Sequence, residues 1–306
     1  MLFGGVRLNL EIYHSPYGKL VIYHLSKNIF MRFYTLIGLI VIISSCQIKN
    51  ENINGDWVSE KDIAGDPNKR PVFSFQDSIC KLYTPWNVDT KYSVNGETIN
   101  IYESTEVGPT NFINEFKIIK LDDDSLIISK NNIEKRATEI IRLKKLKPQN
   151  SIHPSKIYFA SSDCFGTCPS MFLEIDSLGK IMFYGRYHTD SIGFFTSQLS
   201  IEEYNLLLKK IQNIKLNSLH IRYEADWTDD QTSGINIIYD KKELLSSVYG
   251  YDKEPIELRI LLNYLIDLYK HIHLKKDSFI NEKYIVQNKE FNKLIKEVRP
   301  PLPPTW

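Results

Sequence analysis

Between Gly55 and Leu146 the chain is cut into short pieces by turn residues, and this rhythm constrains its fold more than any other feature. Asn95-Gly96, Gly108-Pro109 and Asp122-Asp123-Asp124 break it into β-rich or alternating runs. These are Pro71–Phe75, Ile79–Thr84, Thr90–Val94, Thr98–Tyr102, Glu115–Leu121, Ser125–Ser129 and Thr138–Leu143. Asn-Gly between alternating runs is a strong signal for a two-residue hairpin, and an Asp-rich tip marks another. Short, evenly spaced strands joined by tight turns predict a small barrel or sandwich.

The segment opens with Gly55-Asp56-Trp57 at its first strand and carries Arg142 in its last. On these residues, residues 55–146 resemble the lipocalin-like domains of bacterial lipoproteins. That resemblance implies that Trp57 closes one barrel end and that Arg142 stacks on it as a cation–π partner. It also implies a barrel that either holds a small apolar ligand or fills itself with side chains. The many aromatics of the strands (Phe73, Phe75, Tyr83, Tyr92 and Phe116) favour the filled form.

Residues 147–154, polar and with Pro148, read as a linker. From 155 to 272 the pattern changes. Strands are expected at Ile157–Ser161, Met171–Asp176, Ile181–Tyr187 and Gly193–Leu199. Ser200-Ile201-Glu202-Glu203 is a capping box. It opens a helix with Ile201, Tyr204, Leu207, Leu208, Ile211 and Ile214 on one stripe. A second hairpin follows, Gly234–Tyr239 and Glu243–Tyr249, and Pro255 opens a second helix ending near Leu268. This order predicts an α+β domain, one antiparallel sheet with two helices on one face. The whole is thus expected as two domains, all-β then α+β. Residues 273–306 form a tail in which Phe291, Leu294, Ile295 and Val298 are amphipathic. Its Pro-rich end is extended polyproline, and the tail is expected to dock back on the protein, with Trp306 as an anchor.

The Cys164-Phe165-Gly166-Thr167-Cys168-Pro169 block, the hairpin behind it and the two-strand-plus-helix ending resemble the domain-of-unknown-function 6438 family. The resemblance implies no activity. Cys164 and Cys168 admit several readings. A disulfide is possible in a five-residue turn with Gly166 at its middle. A metal site would need His188 or His153 in addition, since no second cysteine pair or His-x3-His is present. A redox dithiol would depart from the usual Cys-x-x-Cys spacing, and two free thiols are the fourth reading. Cys80 alternates with strand neighbours and reads as a small buried apolar residue. The acidic loop Glu224–Asp230 lacks the order of a calcium-binding loop and reads as a solvated turn.

Ahead of both segments, Arg32 precedes the uncharged run Phe33–Ile43, then Ser44-Ser45-Cys46. A positive start, a short apolar core and small residues make a secretory signal, and the run is too short to span a membrane as a helix. Ile43-Ser44-Ser45-Cys46 resembles the lipobox of bacterial lipoproteins, and Lys49 and Glu51 beyond it resemble the surface-export signals of some Bacteroidetes lipoproteins. The resemblance implies a thioether diacylglycerol and an acylated amine on Cys46. The expected layout is a mis-assigned start region at 1–30, a signal peptide at 31–45, and a lipidated tether at 46–54. The protein would then be lipid-anchored in the cell envelope, at the outer membrane, facing the periplasm or the surface.

Removal of residues 1–45 leaves 34 basic and 36 acidic residues, a net of −2, so there is no cationic excess for nucleic acid. No nucleophile elbow, phosphate loop or His-Glu-x-x-His occurs, and no cofactor, metal or catalytic residue is assigned. The expected function is non-enzymatic binding, of a protein partner or of a small apolar ligand in the barrel. The alternative is thiol-redox or other enzyme chemistry at Cys164–Cys168. Cys46→Ser is expected to abolish metabolic labelling with a fatty acid and to move the protein from the membrane to the soluble fraction.

Overall fold

The computed structural model describes residues 53–61, 70–83, 87–102, 112–132 and 137–298. The signal stretch, Cys46 and Trp306 lie outside these residues.

The turn-rich half forms a closed, antiparallel up-and-down barrel. Its strands are β1 (Gly55–Ser59), β2 (Val72–Gln76), β3 (Ile79–Tyr83), β4 (Asn87–Asn95), β5 (Thr98–Tyr102), β6 (Phe112–Leu121), β7 (Ser125–Asn132) and β8 (Ala137–Lys145). The β4–β5 hairpin sits where Asn95-Gly96 marks it, one residue later than the signal suggests. Asn95 pairs with Thr98, so Gly96 and Glu97 are the central residues. Gly96 has φ +60°, as the first central position of a type II′ turn requires. At the Asp-rich tip, Asp122 Oδ1 accepts from the amides of Asp124 and Ser125. Trp57, Phe73, Phe75, Cys80, Ile99, Ile101, Phe116, Leu126, Ile128 and Leu143 fill the interior. Cys80 is a buried free thiol, and burial raises its pKa strongly.

The second half is one eight-stranded sheet in the order β13-β15-β14-β9-β10-β11-β12-β16. Its central strands are β9 (Lys156–Ser161), β10 (Ser170–Asp176), β11 (Lys180–Tyr187) and β12 (Gly193–Gln198). Helix α1 (Ile201–Gln212) follows, with the predicted capping box in place at Ser200 and Glu203. Next come β13 (Arg222–Glu224), β14 (Thr232–Tyr239), β15 (Lys242–Tyr249) and α2 (Ile256–Asp267). The sheet is not wholly antiparallel: the short edge strand β13 runs parallel to β15. A two-residue strand, β16 (Lys275–Lys276), closes the other edge.

Both faces of this sheet are covered, which corrects the expectation of helices on one face. Ile157, Phe159, Leu173, Ile175, Phe183 and Ile235 pack against α1 and α2. The opposite face is covered by α3 (Glu282–Gln287) and α4 (Lys289–Glu297) of the tail, through Ile285, Phe291, Leu294 and Val298. The tail therefore docks as anticipated, with Phe291 as its central anchor.

Residues Asn52–Trp306 form one compact unit. The barrel packs on the outward side of α1 and α2, where Val58, Val72 and Tyr83 meet Ile260. Lys210 of α1 reaches Asp56 of β1 at 3.1 Å, and Ser74 also donates to Asp56 Oδ1. Nor is residue stretch 147–154 a free linker. Asn150 Nδ2 donates to the carbonyls of Ile211, Gln212 and Ile214, satisfying orphan acceptors at the end of α1. Among the described residues no helix is long and apolar enough to cross a membrane.

Lys210 and Asp56 are only 3% and 8% exposed. Removing one partner strands a buried charge, so Lys210→Ala is expected to cost about 3–5 kcal/mol in urea unfolding, and Lys210→Ala with Asp56→Ala together markedly less than twice that.

Candidate functional site

Four connections emerge at one end of the second sheet: residues 162–169, 188–192, 225–231 and 250–255. The register places them together, because Ser161 pairs with Met171 and Ser233, Thr232 with Tyr249, and Ser170 with Tyr187.

Cys164 and Cys168 are disulfide-bonded, with Cα atoms 5.6 Å apart. Of the readings open to them from sequence, this leaves no free thiolate to ligate a metal or attack a substrate in this state. The bridge closes a tight loop, and neighbours fasten it down. Buried Gln231 donates through Nε2 to the carbonyls of Ser162 (2.9 Å) and Pro169 (2.8 Å). Ser161 Oγ donates to the Pro169 carbonyl, and the Phe165 amide to the Asp229 carbonyl. The loop is thus held at both feet and at its tip. Yet Phe165 at that tip is 90% exposed.

Trp227, Tyr187 and Ile192 are also exposed at this end. They come from the loop before β14, the end of β11 and the loop before β12. With neighbouring strands about 4.8 Å apart, the row spans roughly 19 Å from β14 to β12. Trp227 is fixed by its Nε1 donating to Asp230 Oδ2 at 3.0 Å. Gly250, with φ +73°, lets it sit there, since a Cβ would fall 3.0 Å from that nitrogen. At the far end, Tyr187, Ile192, Arg186, Tyr184 and Phe194 line a shallow cleft of about 450 Å³.

The acidic loop gathers no cation site. Asp226 pairs with Lys253, Asp230 accepts from Trp227 and Gln231, and Asp229 accepts from Thr228. Among the described residues no group of three or more His, Cys, Asp or Glu could hold a metal. Within the 250–255 connection, Glu254 is buried against Arg259 of α2. Burial pushes its carboxyl above the ordinary glutamate value, and the guanidinium works against that shift.

A second concavity lies between the barrel and the helices, about 320 Å³ in volume, lined by Lys81, Asp89, Lys210, Tyr264, Asp267 and His271 among others. Its charges are mutually engaged: Lys81 bridges Asp89 and Asp267, and Asp267 also meets Lys270.

The barrel-end pair differs from expectation. The cation over the Trp57 ring is Lys145, at 5.0 Å, and Arg142 does not touch it. Trp57 pairs with Lys145 and Ser59 with Leu143, so those side chains share the inner face and Arg142 points outward, exposed. Gly55 makes the arrangement possible, because a Cβ there would lie 2.7 Å from Lys145 Cε. Trp57 itself is buried and donates from Nε1 to the Ile53 carbonyl. Of the predicted site residues that are described, the structure brings together only the cysteine pair. Gln231, Trp227, Tyr187 and Ile192 converge here through strand order, which no local sequence pattern carries.

The site therefore belongs to a mixed helix–sheet module with a disulfide-tipped loop end. Residues 155–269 match the model of DUF6438, a domain of unknown function. No curated protein and no solved structure matches the chain.

Loss of the disulfide should cost about 2 kcal/mol or less, given so short a loop, whereas Gln231→Ala leaves two buried carbonyls unpaired and should cost about 1–3 kcal/mol. Urea denaturation of Cys164→Ala/Cys168→Ala and of Gln231→Ala checks both. Amide exchange at Phe165 should accelerate in each.

Proposed function

We propose that this protein is a lipid-anchored lipoprotein of the bacterial cell envelope, a non-enzymatic interaction module that docks a protein partner on the loop end of its second sheet. The observation that carries the reading is Phe165, 90% exposed on a loop closed by a disulfide and clamped by Gln231. A rigid, exposed aromatic contributes apolar contact area at low entropic cost, which is the chemistry of interface anchors. Trp227, Tyr187 and Ile192 extend it into a row wide enough for a protein surface.

Anchoring through Cys46 at the outer membrane rests on the signal and lipobox pattern, and the Cys164–Cys168 bond suits an oxidising envelope compartment. In this reading the lipocalin-like barrel serves as a second packed module. Carriage of an apolar ligand inside it draws less support, because side chains occupy the interior. Redox or other enzyme chemistry draws on the cysteine pair alone.

A photo-crosslinking residue at position 165 tests the proposal in intact cells. Leu178 is also strongly exposed, but in the β10–β11 turn at the opposite end of the sheet, and serves as the control. A discrete adduct from 165 and none from 178 is expected. Equal labelling from both positions, or none from either, would overturn the docking surface. Phe165→Ser should remove function while leaving stability within about 0.5 kcal/mol, as for other exposed positions.

A further inference from the structure

The sheet face opposite α1 and α2 consists of Tyr158, Ala160, Phe172, Met182 and Phe194. The DUF6438 match ends at residue 269. Among the described residues, the apolar side chains covering this face (Ile285, Phe291, Leu294 and Val298 at the centre) all come from beyond that point. The domain therefore carries an apolar face that its own residues 155–269 leave bare, and the tail fills it.

The face is shaped for a helix. Gly234 lies under α4, where a Cβ would meet Val298 Cγ2 at 2.9 Å and Leu294 Cδ2 at 3.3 Å. Phe291 makes edge-on contacts with Tyr158 (5.1 Å) and Phe172 (5.5 Å). Polar anchors frame the apolar strip. Buried Asn236 donates from Nδ2 to Glu290 Oε2 at 2.9 Å, and Lys293 bridges Glu243 and Glu290. Buried Glu174 accepts from the Tyr284 hydroxyl, and Glu282 accepts from that of Tyr184. Asn236 Oδ1 is buried and accepts no hydrogen bond in this arrangement.

The tail also encodes its helices locally. Asn281 caps α3, and Asn288 caps α4 with bonds to the amides of Glu290 and Phe291. At nine residues α4 is too short to persist alone in water, so its folding is coupled to docking.

We infer that this face is a docking groove for an amphipathic helix, held in cis by residues 279–298 and open in trans to a helix of the same pattern: an acidic residue, an aromatic directly after it, and aliphatic residues three and seven positions beyond the aromatic. The mode is that of a helix laid in an apolar groove. In the intact chain the covalent tail competes at an effective concentration on the order of millimolar.

The test uses the full chain with a protease site introduced at exposed Ser278, cut after folding. Native mass spectrometry then follows exchange of the cut tail for a synthetic peptide of residues 279–298. One-to-one exchange is expected, with the body's near-ultraviolet dichroism unchanged. A Phe291→Ser peptide should need at least tenfold higher concentration. Gly234→Ala in the body should weaken the native peptide, and Val298→Ala in the peptide should recover the loss. Failure of the tail to exchange over days, collapse of the body when it leaves, or equal exchange of the Phe291→Ser peptide would each overturn the groove and make the tail a fixed part of the core.

Discussion

Strand β9 is buried on both of its faces. Ile157 and Phe159 point to one side, and Tyr158 and Ala160 to the other. A strand of this kind requires apolar cover above and below, and the remaining architecture follows from supplying it. Each face, if left to water, would expose an apolar area far larger than scattered surface residues do. Helices α1 and α2 close one side and the tail closes the other, so the tail belongs to the packing of the sheet even though it lies outside the family match.

The first cover creates the demand for the barrel. Helix α2 is buried around most of its circumference, at Leu258, Ile260, Leu261, Leu262, Leu265 and Ile266. A helix apolar on all sides needs partners on all sides. The sheet supplies one, and the outer face of β1 and β2 supplies another through Val58 and Val72. This explains why those strands are buried at nearly every position: Trp57, Phe73 and Phe75 fill the barrel while Asp56, Val58, Val72 and Ser74 face the helices. The charges caught there are matched. Asp56 meets Lys210, and Asp267, though burial raises its carboxyl pKa, is carried to a net lowered value by Lys81 and Lys270. A carboxyl held low in the fold stabilises above its unfolded pKa and loses that contribution as pH falls through its folded value. The contribution of Asp267 to the barrel–helix contact is therefore lost as the pH falls.

What could be read from the sequence divides along the same line. Local chemistry was legible: the Asn95-Gly96 hairpin, the Asp122 tip, the capping box at Ser200 and the short Cys164–Cys168 loop each depend on residues a few positions apart. Features set by register or by distant cover were not. Arg142 and Lys145 are both cations near the end of β8, and only the pairing with β1 decides that Lys145 is the one facing Trp57. The parallel edge strand β13 is three residues long and has no periodicity to announce it. The amphipathic tail showed its own apolar stripe but not which surface awaited it.

The same packing also decides where function can reside. At the end of the sheet away from the disulfide, the connections are minimal: Asp240 and Lys241 alone turn β14 into β15, both at positive φ, and Ser177–Gly179 join β10 to β11. Such turns have little room for varied side chains. At the disulfide end the connections are longer and brace one another through Gln231, Asp229 and the Tyr249 hydroxyl. Loops carried on a rigid scaffold are where binding residues concentrate. At this end Phe165, Trp227, Tyr187 and Ile192 are exposed on connections that the neighbouring loops hold in place. The Gln231 clamp and the disulfide hold the loop in the conformation that leaves Phe165 exposed.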